Sequence, residues 1–206
     1  MLRYLRNGLM LASAMAICGF CQGPSVPRTS PEFVIHFPGG QDQLLSSYKG
    51  KVVALEFLWT TCPHCQHSSQ VFSQLFQQYG SEGFQPIGVA FNDQGPTPLR
   101  MLVPEFVRNF QVNYPVGFAS RDDVLNYLTF STVDRRLVVP QVVWIDRRGV
   151  IRSQTPVQGD ANMLSEEFWK QQIETLVKEP AAATRHTRRP SRHSSSPASA
   201  SRASLR

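Results

Sequence analysis

The sequence predicts an α/β domain with a central mixed β-sheet and helices on its faces. Three observations predict it. VVALEFLW (52–59) is a continuous apolar run interrupted by one acid, strand-like and helix-like segments alternate around it, and a hairpin followed by a helix closes the pattern. An unbroken apolar strand is what burial on both faces of a sheet requires. Alternating periods of two and 3.6 residues place helices against that sheet.

The elements follow in order. SVPRTSP (25–31) reads as a linker by composition, and EFVIHFP (32–38) as a first strand. GGQDQLLSSYKGK (39–51) reads as two turns around a short apolar pair, before the strand at 52–59. From Cys62 a helical pattern runs to Tyr79, with Val71, Phe72, Leu75, Phe76 and Tyr79 on one face and glutamines largely on the other. Pro63 suits the first helical position, where its missing N–H costs nothing. GFQPIGVAFN (83–92) is the next strand. TPLRMLVPEFVRNFQV (97–112) is helical and is expected to break at Pro104. YPVGF (114–118) is a short strand, and SRDDVLNYLTF (120–130) a helix capped by Ser120. PQVVWID (140–146) and GVIRSQT (149–155) form a hairpin around RRG, and NMLSEEFWKQQIETLVKE (162–179) is a closing amphipathic helix. Trp144 and Trp169 read as core packing, and Arg147 and Arg148 as solvated turn charges.

The formal charge of +6 belongs to the ends of the chain. Residues 31–179 hold all 15 acids and 12 of the 21 Lys and Arg, a net charge of −3, whereas six arginines and no acid lie beyond Pro180. A nucleic-acid-binding body would gather its basic residues on the fold, so that class is excluded. Residues 1–24 carry Arg3 and Arg6 before an apolar stretch of twelve, Leu9–Phe20. That is the pattern of a signal peptide or N-terminal anchor, too short for a full span. Cys18 and Cys21 lie in or beside this leader, and a lipid-attached cysteine there is a further option. The expected organisation is thus a leader at 1–24, a linker at 25–31, one domain at 32–179, and at 180–206 an Arg/Ser/Pro-rich tail too poor in apolar residues to offset its ordering entropy.

Without the leader, Cys62 and Cys65 remain, three apart, where a buried strand hands over to a helix. At that edge the unpaired N–H groups and the dipole favour an anion. A thiolate so placed can have its pKa lowered from about 8.5 into the range ~3.5–7.5. Cys62 is therefore expected to attack or be attacked, and Cys65, one turn further in, to resolve the mixed disulfide. His64 can add positive charge near the Cys62 sulfur and make the disulfide a stronger oxidant; His67 reads as an exposed polar residue. Glu56 is a lone carboxyl on a buried strand, costly unless protonated or paired. Six residues before Cys62, it is placed to lie beneath the pair and take the proton of Cys65, with a pKa raised by burial.

EFLWTTCPHC resembles the active-site segment of the thioredoxin superfamily, and its PH dipeptide resembles that of DsbA-type oxidases. VVPQVVWID resembles that superfamily's cis-proline loop. The resemblance implies a substrate shelf at Val139 and Pro140 facing the cysteines, where Val139 offers backbone groups to an extended segment, with Trp59 and Pro63 also on the substrate side. The separation of 75 positions from Cys65 to Pro140 and the stretch NDQGPTPLRMLVPEFVRNFQVNYPVGF are similar to TlpA-like exported oxidoreductases. This implies a thioredoxin fold with an N-terminal strand extension and a central strand–helix insertion. The function implied is thiol–disulfide exchange with exported proteins, in the periplasm or anchored facing it. The protein would act as a monomer, without a cofactor and with a membrane-bound redox partner. The TlpA-like frame points to a reductant and the PH dipeptide to an oxidant, so the direction of electron flow stays open. A peroxide-reducing cysteine of this fold usually has a threonine three residues before it, where this chain has Trp59. The rival class is copper or zinc binding and delivery through Cys62, His64, Cys65 and His67. Zinc sites usually draw ligands from two separated segments, and the second half of the chain offers no cysteine.

Overall fold

The computed structural model describes residues 24–92, 97–131 and 137–180. The leader, the cysteines at 18 and 21, and the arginine-rich tail lie outside the described residues. Within them runs an eight-stranded mixed sheet of order β1-β8-β7-β4-β5-β6-β2-β3. Its strands are β1 (Arg28–Thr29), β2 (Val34–His36), β3 (Asp42–Leu44), β4 (Val52–Leu58), β5 (Phe84–Ala90), β6 (Val116–Phe118), β7 (Gln141–Ile145) and β8 (Val150–Gln154). Four helices join them: α1 (Pro63–Tyr79), α2 (Leu99–Asn109), α3 (Arg121–Leu128) and α4 (Glu166–Lys178).

β4 is the central strand because all seven of its residues are buried. It runs parallel to β5 and antiparallel to β7, so Glu56 faces Gly88 on one side and Val142 on the other. Alternation along β4 feeds two cores. Val52, Ala54 and Leu58 pack with α1, α2 and α4, where Phe72 stacks on Trp169 at 4.4 Å. Val53, Leu55 and Phe57 pack on the opposite face with α3 and the N-terminal segment, including Phe33 and Ile35. Glu56 projects on the α1 side. Trp144 and Trp169 are buried, as expected.

The structure differs from the sequence reading in five places. Arg28–Thr29, inside the segment read as linker, adds an edge strand to β8. The stretch read as two turns holds β3, paired antiparallel with β2, and a 3₁₀ turn at Leu45–Tyr48. α2 runs through Pro104 without a break. The proline forfeits one ladder bond, but Val103 and Phe106 on either side of it are buried in the core and hold the helix together. The closing helix begins at Glu166, because Ser165 caps it by accepting from the Phe168 N–H, while Asp160 ties Met163 and Leu164 into a preceding turn. Arg147 is half-buried, donating to the carbonyls of Glu82 and Glu179.

Candidate active site

β4 ends at Leu58, and three residues later the chain enters α1 with Cys62 as N-cap and Pro63 in the first turn. The turn between them is braced. The Cys62 N–H donates to the Trp59 carbonyl at 3.1 Å, and Gln66 Nε2 reaches back to the Thr60 carbonyl at 3.1 Å. From beyond β5, Asn92 accepts from the Thr60 N–H at 3.3 Å and donates to Thr60 Oγ1 at 3.0 Å. Cys62 is half-buried and Cys65 fully buried; both are free thiols. The Cys62 thiol points at the carbonyl of Val139, 3.9 Å away.

The segment carrying Val139 is held from behind. Gln141 Nε2 donates to the carbonyls of Val138 at 2.7 Å and Pro156 at 3.2 Å, and the Val138 N–H donates to Val157 at 3.0 Å. The Val139–Pro140 peptide bond is cis. Trp59 is half-buried beside Phe91, its ring centroid 6.1 Å from that of Phe91. Pro63, His64 and His67 are exposed at the surface of the first turns of α1.

Glu56 is completely buried, and three hydroxyls hold its carboxyl. Ser68 Oγ donates to Oε1, Ser69 Oγ to Oε2 at 3.0 Å, and the Tyr114 hydroxyl to Oε2 at 3.1 Å. Burial pushes the carboxyl up to about 7, and the three donors restrain that rise. Burial also pushes the Cys65 thiol far up, and the negative charge of Glu56 adds to it. The Tyr114 hydroxyl is raised by the same two causes, burial first. Cys65 thus stays protonated at neutral pH unless a base removes its proton, and Glu56 is a buried carboxyl whose charge reaches it.

The sequence reading placed Cys62, Cys65, Glu56, Val139 and Pro140 together but missed Ser68, Ser69, Tyr114, Asn92 and Gln141. A signal existed for the two serines. Positions 65, 68, 69 and 72 share one helix face, and two hydroxyls on an otherwise apolar stripe need a buried partner; Glu56 is the acid on the adjoining strand. Tyr114, Asn92 and Gln141 are isolated in sequence and carry no comparable pattern. For a metal centre the site offers little: among the described residues no three His, Cys, Asp or Glu side chains gather as a metal would need.

Comparison with known proteins agrees with this architecture. The chain is 26% identical over 128 residues to the thiol-disulfide oxidoreductase ResA of Geobacillus kaustophilus, covering 62% of this chain and 67% of that one. It is 26% identical over 145 residues to the protein DipZ of Mycobacterium tuberculosis, covering 70% of this chain but 19% of that larger protein. Among solved structures, a thiol:disulfide interchange protein of the thioredoxin family from Chlorobium tepidum superposes with a TM-score of 0.58 at 20% identity, over 75% of this chain and 99% of that one. That likeness shows a shared fold. The AhpC/TSA family profile matches residues 26–154. Since that span runs from just before β1 to the last residue of β8 and takes in the whole cysteine turn and the Val139–Pro140 segment, the chain belongs to the AhpC/TSA family, within the thioredoxin superfamily.

Proposed function

We propose that the protein is a thiol–disulfide oxidoreductase that exchanges disulfides with exported proteins through Cys62 and Cys65. The observation that carries this reading is the graded burial of the site: a half-buried Cys62 capping α1, a fully buried Cys65 one turn on, and a fully buried Glu56 carboxyl whose charge reaches Cys65. The ResA relatives bear the name of the same activity.

In the reducing direction the Cys62 thiolate attacks a substrate disulfide, forming a Cys62–substrate bond and releasing one substrate thiolate. Glu56 takes the Cys65 proton. The Cys65 thiolate then attacks the Cys62 sulfur, closes the internal disulfide and releases the second substrate thiolate. Two electrons pass from the cysteine pair to the substrate, and the proton on Glu56 returns to solvent or to the leaving thiolate. Oxidation of a substrate dithiol is the same sequence reversed. No cofactor is required, because the two sulfurs carry both electrons. His64, exposed in the first turn of α1, tunes the pair from the rim, and Val139, Pro140, Trp59 and Pro63 form the face against which an extended substrate segment lies. The leader composition supports an extracytoplasmic location with a TlpA-like arrangement, acting with a membrane-bound redox partner.

The reduction potential of Cys62/Cys65, measured by equilibration of the full chain with glutathione, tests the reading and fixes its direction. A potential well below the glutathione couple makes the protein a reductase, and one well above it an oxidase. Absence of any two-electron titration between the two cysteines would overturn the proposal.

A further inference from the structure

The carboxyl of Glu56 is bound asymmetrically. Among the described residues, Oε2 accepts from two hydroxyls, Ser69 and Tyr114, whereas Oε1 accepts from Ser68 alone. The Ser68 hydroxyl also lies 3.0 Å from the carbonyl oxygen of Cys65, a backbone acceptor already in place. A serine hydroxyl has one proton to donate and lone pairs to accept with. It can therefore donate to the Glu56 carboxylate, or accept from a Glu56 carboxylic acid while donating to the Cys65 carbonyl, and in neither state is a buried polar group left unmatched. Protonating Oε2 would instead turn aside at least one of its two donors and disturb Ser69 and Tyr114 together, since those two hydroxyls also meet each other.

We propose that Ser68 is a positioning residue whose hydroxyl changes acceptor as Glu56 takes its proton, so that Oε1 receives the proton of Cys65 while Ser69 and Tyr114 hold Oε2 fixed. This rests on Glu56 being the base of the exchange described above. The S–H bond of Cys65 breaks and the Oε1–H bond forms. The Ser68 O–H turns from Oε1 to the Cys65 carbonyl, and Ser68 Oγ accepts from the new Oε1–H. The S–H electron pair stays on sulfur and no oxidation state changes in this step; that lone pair then makes the bond to the Cys62 sulfur as the substrate thiolate leaves.

Ser68 lies one turn after Cys65 on the same helix face, and the charge of Glu56 reaches the Cys65 thiol. Among the described residues no further charge acts on Glu56. The titratable groups that face Glu56 are Cys65, with Cys62 above it, from α1, and Tyr114 from the segment before β6. β5 and β7 present Gly88 and Val142 beside it, and α4 presents Trp169 and Ile173 to the same core.

The test follows the resolving step in the full chain. Reduced protein is mixed with oxidised glutathione and quenched in acid, and mass spectrometry follows the glutathione adduct on Cys62 as it forms and decays across a pH series. Adduct formation belongs to Cys62 and is the internal reference; adduct decay reports the Cys65 step. In the parent, decay quickens as pH rises through about 7, where Glu56 titrates. Ser68→Ala is expected to lower the high-pH plateau of decay by about tenfold, the effect of one hydrogen bond to a charged group, and to move the midpoint up. Ser68→Thr, which keeps the hydroxyl, restores both. Tyr114→Phe moves the midpoint up, since a donor to the carboxylate is lost, but keeps the plateau. Alanine is the strongest helix former, so Ser68→Ala keeps α1.

Glu56→Gln separates the two levels of the argument. If it leaves the decay rate and its pH dependence intact, Glu56 is not the base and the exchange scheme fails with the proposal. If it slows decay and flattens the profile while Ser68→Ala matches the parent, the scheme stands and the role of Ser68 is overturned. Identical effects of Ser68→Ala and Tyr114→Phe would overturn the assignment of Oε1.

Discussion

The Tyr114 hydroxyl donates to Oε2 of Glu56 at 3.1 Å, joining residues 58 apart in sequence. Tyr114 belongs to the segment between α2 and β6, the added unit of the sequence reading. That unit therefore does more than enlarge the sheet: it supplies one of the three hydroxyls that keep a buried carboxyl able to ionise.

Glu56 gives stability a pH dependence of definite sign. Burial raises its carboxyl to about 7, against an ordinary value of 4.5. Across that window the folded chain holds a proton that the unfolded chain has released, so stability falls as pH rises and levels off above it. Glu56→Gln cannot ionise, and its amide finds acceptors in the same serine and tyrosine hydroxyls. It is expected to lack the slope and, at about pH 8, to be more stable than the parent by on the order of 3 kcal/mol. Urea denaturation at several pH values checks this; a slope that persists in the glutamine variant assigns it to another group.

Replacing each cysteine separates their roles. Cys65→Ser is expected to accumulate a stable adduct with a disulfide substrate, because the buried resolving thiol is gone. Cys62→Ser should form no adduct, since Cys65 is completely buried and its thiol is held protonated. Intact-mass measurement after exposure to oxidised glutathione reads both. An adduct on Cys65 in the Cys62→Ser chain would reverse the assignment.

How far the site was legible follows from which forces are local. The run at 52–59 reads as a strand, and β4 is its central member, because burial on both faces writes itself as uninterrupted apolar residues. The Ser120 cap is equally local: its hydroxyl accepts from the Asp123 N–H, three residues on. By contrast, β3 carries polar Asp42 and Gln43 and is a strand only because it pairs with β2. α2 survives Pro104 through tertiary packing that no propensity reports. The cysteine pair and Glu56 stood out as exceptions to their surroundings, whereas Tyr114, Asn92 and Gln141 act through partners far away in sequence and look ordinary where they stand. Arg135 and Arg136, just before the Val139–Pro140 segment in sequence, lie outside the described residues.

Gly117 in β6 tests how tightly the N-terminal hairpin is fitted. A Cβ there would lie 2.5 Å from Ile35 Cγ2 and 2.6 Å from the His36 carbonyl oxygen, and the backbone oxygen cannot turn away. Gly117→Ala is expected to cost about 1–3 kcal/mol by overpacking, with amide protection falling first in β2 and β3. A stability within about 0.5 kcal/mol of the parent, the range of ordinary surface changes, would show that the hairpin shifts freely.

Asn92 offers the last prediction, because it separates the turn that presents Cys62 from the chemistry below it. Its side chain both accepts from the Thr60 N–H and donates to Thr60 Oγ1, and Thr60 is buried. Asn92→Ala leaves that N–H without its partner, a cost of about 1–2 kcal/mol. The loss is local, so amide exchange should quicken at Thr60, Thr61 and Cys62 while β7 stays protected. A looser turn holds Cys62 less firmly against the Val139 carbonyl, and adduct formation with oxidised glutathione should slow while the pH midpoint of the resolving step, set around Glu56, is unchanged. Asn92→Asp keeps an acceptor for the Thr60 N–H and should retain most of the parent's protection there. Equal protection of the turn in the parent and in Asn92→Ala would mean that Gln66 and the Trp59 carbonyl brace it without help from β5.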